Sequence, residues 1–494
     1  MRRAEPRQMP FVFADSPTGS GHSPRSGVPD GRAYLLLTAK ALEATGSAAP
    51  AADTTRLLEA AVSPPNLAEA LLRVARNRGA PGVDGKSVTE VVAGARRLLP
   101  KLRSAVLSGD YVPGDVRRVW IPKPGGGQRG LGIPNVVDRW VQQAVHQALS
   151  PLLEPDFHDS SHGFRPGRGA KTALVEAKGY LRDGHTWLVS IDLSKFFDRV
   201  NHQRLLARLA QRVGDVRLLR LVGRMLKASV VMPDGTRVSS EEGTPQGGPL
   251  SPLLSNLVLD ELDQELERRG LRFVRYADDF IVFVRSLRAG QRVMASLTRF
   301  IERRMRLLVN ESKSAVARPE EVHFLGFTLR LNEQCEVEVH LSERSHRRLD
   351  RKLRELTPRQ LGRSLESCFA AVNRYLRGWL SHFQLCSEEG ARLFQRHESH
   401  VRRRIRAIIV RQRKRPRFLY RHLRARGVSH RMAMQTAYVG RGPWYQSNRY
   451  GMWRAYPNAW FHERMVSLLS EWKRRNPVAT VSGQAFLPGF EQST

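Results

Sequence analysis

Residues 271–284 read LRFVRYADDFIVFV. Apolar, β-favouring residues flank two adjacent carboxylates, Asp278 and Asp279. The pattern predicts two strands with the acidic pair at a tight turn between them. Such a hairpin holds both charges at a rigid, exposed tip. Carboxylates buried without a partner are costly, so a cation is expected there. Mg²⁺ suits the position, because it is a hard ion that takes carboxylate oxygens and keeps waters and substrate phosphates in its shell. An Asp-Asp pair is also a common turn sequence, and the tetrapeptide alone leaves both readings open.

A third carboxylate is available in residues 186–198, TWLVSIDLSKFFD, which read as a strand ending near Asp192 with Phe196 and Phe197 after it. Asp192 would face the Asp278–Asp279 hairpin across a sheet. Three carboxylates on two Mg²⁺ ions about 3.5–4 Å apart form the two-metal clamp of nucleotidyl transfer. One ion would activate a primer 3′-hydroxyl and the other would stabilise the leaving pyrophosphate. Between the acidic segments lies EGTPQGGPLSPLLSN, residues 242–256. This Gly/Pro-rich loop runs into an apolar helix expected from Leu253 to about Leu266, so its backbone can approach a ligand closely.

The ordered set resembles the reverse transcriptase family, and in detail the group II intron-encoded proteins, over roughly residues 62–475. TPQGGPLSP (244–252) resembles the family's nucleotide-binding loop, and NRGAPGVDG (77–85) the N-terminal lid segment of non-retroviral members. VWIPKPGGGQRGLGIP (119–134) and SHGFRPGR (161–168) are similar to the fingers motifs, although Gly130 stands where a proline is common. LVNESKS (308–314) and HFLGFTL (323–329) resemble the last two palm motifs.

The resemblance implies roles for individual residues. Asp192 and Asp278 would bind both metals with the Leu193 backbone carbonyl, and Asp279 would be a weaker ligand. The cofactor would be two Mg²⁺ ions, with Mn²⁺ as a substitute. Phe197 matches the steric gate that excludes a ribose 2′-hydroxyl and so favours dNTPs. One ring of Phe196 and Phe197 is expected in the core, since neighbours on a strand face opposite ways. Lys123 and Arg129 would hold the triphosphate, arginine with its planar fork. A solvated hairpin tip is a fair alternative for Lys123. Gln246 and Gly247 would lie against the incoming nucleotide. Lys313 would be a general acid to pyrophosphate or simply a surface lysine.

Composition points to nucleic acid independently. The chain has 494 residues, with 81 Lys+Arg against 47 Asp+Glu, a formal charge of +34. Each phosphate contact releases condensed counterions, which is what such a basic balance serves. No run of about 18 apolar residues exists to span a bilayer, no basic amphipathic helix stands apart, and the N-terminus lacks a signal peptide's apolar core. Cys335, Cys368 and Cys386 are widely spaced. They argue for a reducing, cytoplasmic setting without disulfides or structural zinc.

The expected fold is α+β: a right-hand polymerase with an antiparallel palm sheet, followed by an α-helical thumb (domain X) and a small helical C-terminal domain. Residues 1–55 read as a flexible leader with a helix-like run at 33–42, 56–185 as fingers, 186–341 as palm, 342–414 as thumb, 415–480 as a maturase-specific domain and 481–494 as a tail. A helix pair broken at Pro64-Pro65 is expected over 57–74. Helices 203–213 and 291–305 should back the palm.

The segment 401–414, VRRRIRAIIVRQRK, places Val401, Ile405, Ile408 and Ile409 on one stripe and arginines around the rest. A charged helix face is usually just solvated. Here the charge is of one sign, so its self-repulsion calls for phosphate. In the tail, AYVGRGPWYQSN (437–448) and NAW (458–460) resemble the group II maturase-specific region. Aromatics interleaved with arginine suit stacking and phosphate contact. Candidate nucleic-acid contacts are Arg78, Arg165, Arg402, Arg403, Arg404, Arg411, Lys414 and Trp444.

The resemblance thus implies Mg²⁺-dependent, RNA-templated DNA synthesis together with group II intron splicing and mobility. The partners would be intron RNA, an RNA template with DNA primer, dNTPs and target DNA, with a homodimer as one arrangement and no membrane. No Cys-rich HNH nuclease is expected, as in bacterial class C-like members, so priming would come from elsewhere, such as a nascent strand at a replication fork. Two alternatives stay open: a domesticated reverse transcriptase in repair or phage defence, and a splicing-only RNA-binding maturase.

Overall fold

A computed structural model describes residues 32–36, 38, 54–122, 126–360 and 362–477. Most of the expected leader, the expected tail and Lys123 lie outside the described residues.

The centre is a four-stranded antiparallel sheet in the order β6-β7-β3-β8. Its strands are β3 (Trp187–Asp192), β6 (Arg272–Tyr276), β7 (Asp279–Val284) and β8 (Ala315–Ala317). The apolar stretch FIVFV on β7 is continuous because both faces of the sheet are covered. Phe280, Val282 and Val284 enter one hydrophobic cluster, while Ile281 and Phe283 enter a second on the opposite face. The two-residue side-chain period of a strand makes that division.

On the first face lie the helices Leu287–Phe300, extended by a π-helical turn Ile301–Met305, and Ser251–Arg268. The same cluster continues through Pro64–Arg76 and Val136–Leu153, where buried Trp140 donates its indole N–H to the Leu67 carbonyl at 2.6 Å. The pair broken at Pro64-Pro65 is present as Leu57–Ala61 and Pro64–Arg76. Residues 32–36 are helical, and Leu35 is fully buried in this cluster, so the helix-like run in the leader is anchored to the main core.

A second sheet, in the order β2-β1-β4-β5, projects from that body. It comprises β1 (Val116–Pro122), β2 (Gln128–Ile133), β4 (Val230–Val231) and β5 (Arg237–Val238). The β1–β2 hairpin sets Ile121 opposite Arg129.

The other face of the central sheet carries Ala170–Arg182 and the hairpin of β9 (Phe327–Leu331) and β10 (Val337–Leu341). Beyond it come Glu343–Leu356, Leu365–Phe383 and Phe394–Gln412, then short helices from Pro416–Ala425 to Leu468–Arg475. Phe394, Val401 and Trp472 share one cluster, so the expected 342–414 and 415–480 segments are built on a common core.

Two local expectations change. Phe196 and Phe197 do not lie on a strand: they occupy a 3₁₀ turn, Phe196–Asp198. The arginines of Phe394–Gln412 are not all on a solvated face: Arg396 and Arg411 are exposed, but others are held inside the fold. Arg406 is buried and donates to the Tyr456 carbonyl at 2.7 and 3.1 Å. Arg404 donates to the Thr357 carbonyl and hydroxyl, satisfying the end of the helix Glu343–Leu356. Short helices wrap this helix on several sides, which amphipathic spacing alone did not indicate. Among the described residues no helix is long and apolar enough to cross a membrane.

Candidate active site

Asp192 ends β3 and lies directly opposite Asp279, the first residue of β7. Direct antiparallel partners have Cα atoms about 4.5–5.5 Å apart. Asp278 shares a two-residue turn with Ala277, because Tyr276 pairs with Asp279. Ala277 has φ +57°, a backbone conformation that disfavours a side chain. Two contacts hold it there. Arg275 Nη1 donates to the Ala277 carbonyl at 3.1 Å, and Gly163 packs so closely that a Cβ on it would sit 2.3 Å from the Ala277 nitrogen.

Behind the turn is a buried polar cluster. Arg275 and Asp263 are both completely buried and bonded twice, Nε to Oδ1 at 2.7 Å and Nη2 to Oδ2 at 2.5 Å. Arg275 Nη1 also donates to Asn256 Oδ1, and Asn256 Nδ2 donates to the Gly163 carbonyl at 2.9 Å. Sequence reasoning missed Gly163, Asn256, Asp263 and Arg275. The available signal was a charge inside an apolar strand, and polar residues seven apart on an apolar helix.

On the Asp192 side, its carbonyl accepts from the Asn310 N–H at 2.8 Å, and the Ser194 N–H donates to the Leu308 carbonyl. These two bonds flank the Leu193–Val309 bridge and leave the Leu193 carbonyl out of the pairing. Lys313 Nζ stands 3.5 Å from Asp192 Oδ2.

Burial pushes the Asp278 carboxyl above the usual carboxylate range, and the Asp192 charge adds to this while Arg129 opposes it. Enclosure in the cleft, then the charges of Asp278 and Asp192, push Asp279 up to about 6, although its side chain still opens to solvent. Arg344 and Lys313 temper that shift. Burial and mutual repulsion thus both disfavour the ionised pair, and a bound cation would relieve both. Among the described residues the carboxylates do not converge into a ready-made cage of three or more ligands. The donor set nonetheless fits Mg²⁺, which binds through one or two carboxylates and completes its shell with water and substrate phosphate.

The nucleotide-side candidates also meet here. Phe196 is buried and Phe197 half-buried, edge to face at 5.2 Å. The Phe197 carbonyl accepts from the Thr244 N–H at 2.7 Å, which ties the backbone at this position to the 243–248 loop. The Gln246 carbonyl accepts from the Gly132 N–H at 2.9 Å, docking that loop on β2. Gly247, at φ +136°, passes so near β2 that a Cβ would lie 2.5 Å from the Gly132 carbonyl oxygen. Arg129, on β2, is close enough to act on Asp278 electrostatically.

The nucleic-acid candidates divide. Arg78, Arg411 and Lys414 are exposed. Arg403 lies 4.0 Å over the ring of Trp444, which is itself exposed. Arg165 is not a free contact: it is nearly buried and bonded to Glu154 and to the His158 and Ser161 carbonyls. Arg404 is held internally as described, and Arg402 is largely covered and paired with Glu398.

Residues 121–329 match the family described as reverse transcriptase (RNA-dependent DNA polymerase). The chain is 36% identical to the protein YkfC of Escherichia coli strain K12 over 321 residues, 57% of this chain and 84% of that protein. The chain belongs to the reverse transcriptase family. The family is one of RNA-directed DNA polymerases, and the four strands of the central sheet all lie within the matched residues. Residues 346–427 match the group II intron, maturase-specific domain. That interval covers the expected thumb more than the expected 415–480 segment, and it excludes Trp444. The group II intron-encoded protein LtrA of Lactococcus lactis subsp. cremoris is 28% identical over 299 residues, 47% of this chain and 50% of LtrA. A putative COX1/OXI3 intron 2 protein of Saccharomyces cerevisiae is 28% identical over 291 residues, 47% of this chain and 34% of that protein. The chain therefore spans half or less of these two intron-encoded relatives.

Proposed function

We propose that this protein extends a DNA 3′ end on an RNA template and binds group II intron RNA to assist splicing and mobility. The observation that carries the polymerase reading is the β3–β7 register, which sets Asp192 against Asp279 with Asp278 one residue away at the turn. Asp192, Asp278 and the Leu193 carbonyl would hold two Mg²⁺ ions, with Asp279 beside them. Bound there, the ions would supply the charge that activates a 3′-hydroxyl and offsets a leaving pyrophosphate.

The chain's own residues do the rest. Arg129 draws the triphosphate toward the acidic turn from β2. The 243–248 loop, docked on β2 and on Phe197, positions the base and sugar. Phe197 occupies the space of a 2′-hydroxyl. Lys313 stands where it can donate a proton to a phosphate oxygen. The maturase-specific match over 346–427 supports intron RNA as the structured partner. Binding would favour the folded RNA by differential affinity, with no protein group reacting. Synthesis would begin from a target-site or replication-fork primer.

Primer extension on an RNA template with dNTPs and Mg²⁺ tests the reading, wild type against Asp278→Asn. Extension by wild type and its loss in the variant is expected. A folded, RNA-binding wild type that fails to extend would overturn the polymerase assignment.

A further inference from the structure

A cavity of about 470 Å³ opens beside the helix Phe394–Gln412, close to Tyr450–Ala455. Its wall carries Arg354, Arg396, Arg402, Arg403 and Arg406 against one carboxylate, Asp350. That carboxylate is engaged elsewhere: Asp350 Oδ1 meets His397 Nδ1 at 2.8 Å, and His397 Nε2 meets His346 Nδ1 at 2.9 Å. Arg402 is paired with Glu398, and Arg406 with the Tyr456 carbonyl. Among the described residues no carboxylate pairs with Arg354, Arg396 or Arg403. Two buried wall atoms, His400 Nε2 and Arg403 Nε, have no hydrogen-bond partner there. Unpaired buried donors and acceptors are uncommon and call for a ligand or a water.

The wall also has an aromatic face and two amides. Trp453 is 53% exposed, and Asn448 and Asn458 line the same space. Trp444 stands nearby with Arg403 over its ring. The volume falls within the range of roughly 300–1,000 Å³ typical of small-ligand sites. A bare anion would leave Trp453 and both amides unused. An apolar ligand would leave the arginines without counter-charge. A nucleotide uses all three: a phosphate for the guanidinium groups, a π-face for the indole, and base-edge donors and acceptors for the carboxamides.

We propose that this cavity seats one unpaired nucleotide of a bound strand, with its phosphate against Arg354, Arg396 and Arg403, its base on Trp453, and Asn448 and Asn458 at the base edge. The inference rests on the nucleic-acid-binding reading above and gives it a discrete site outside the polymerase centre. RNA and DNA strands share this chemistry, so the experiment distinguishes them.

The test is fluorescence anisotropy with the full chain and a labelled RNA hairpin, fully paired or carrying one bulged nucleotide, beside the matching DNA hairpins. Wild type should prefer the bulged form by about tenfold. Trp453→Ala and Arg396→Ala should lose that preference. Arg292→Ala, at an exposed position on the palm helix Leu287–Phe300, should keep it. Should Trp453→Ala fail to fold, Asn448→Ala changes an exposed side chain and should weaken the same preference. A gain for RNA alone assigns the strand to RNA, and an equal gain for both assigns any single strand. No preference in wild type, or one that survives the cavity variants, overturns the cavity while leaving the polymerase reading in place. A wild type that binds neither nucleic acid overturns both.

Discussion

Arg275 and Asp263 form a fully buried, doubly hydrogen-bonded ion pair directly behind the turn that carries Asp278. The same guanidinium holds the Ala277 carbonyl, so the pair connects the helix Ser251–Arg268 to the acidic hairpin. Removing one partner leaves a buried charge uncompensated, at a cost of about 3–5 kcal/mol. Asp263→Asn should lower the urea midpoint accordingly. Arg275→Met in an Asp263→Leu background should recover much of that stability but not primer extension, because the Ala277 carbonyl loses its donor. Paired denaturation and extension assays check both halves.

Gly163→Ala tests the same turn from below. The added methyl would press on backbone, 2.3 Å from the Ala277 nitrogen and 2.9 Å from the Tyr276 carbonyl carbon, so the hairpin has to move. A displacement of about 1 Å at a reacting centre can cost on the order of 100-fold in rate. Single-turnover extension should fall by that order while RNA binding is unchanged.

Asp260 sets a stability dependence on pH. Burial and the neighbouring Asp263 charge push its carboxyl up to about 6, against opposition from Arg208, Arg275 and Arg212. Its Oδ1 has no hydrogen-bond partner among the described residues. A carboxyl whose folded value lies above its unfolded one binds its proton more tightly when folded. Its contribution is therefore intact below about pH 4 and is lost as pH rises toward about 6. The shift corresponds to a loss on the order of 3 kcal/mol. Asp260→Asn should unfold with less loss of stability than wild type between those pH values. The difference between the two melting curves isolates this group from carboxylates with lowered values, such as Glu265.

Phe197→Ala should admit ribonucleotides. The ring is half-buried and packed edge to face on Phe196, and its backbone carbonyl is anchored to Thr244. Sugar discrimination that rests on one steric contact is worth about 10- to 100-fold. Steady-state incorporation of rNTP against dNTP should shift by that factor, with dNTP incorporation retained. Unchanged discrimination would remove Phe197 from the gate.

The acidic hairpin, the strand ending at Asp192 and the loop at 244–252 were legible because each is local. Strand periodicity, a two-residue turn and a Gly/Pro run are written in neighbouring residues. The maturase-related stretch was legible as a basic, helical region, but not which of its arginines are free. Arg165, Arg404 and Arg406 read in sequence like any other basic residue, and only the carbonyls and rings brought to them from distant segments show that they are structural.

The sequence by itself determined the kinds of elements, their order, the carboxylates of the centre and the basic character of the chain. These follow from local backbone preference and from charge, which need no long-range contact. The tertiary structure decided what depends on the meeting of segments far apart in the chain. It set Asp192 against Asp279, 87 positions later, through strand register. It placed Gly163 and Arg275 on either side of one strained turn. It joined the helices of residues 343–412 and 416–475 on one core, which left a basic cavity beside them. Register and side-chain packing arise from the simultaneous burial of many surfaces, and no single stretch of sequence encodes that.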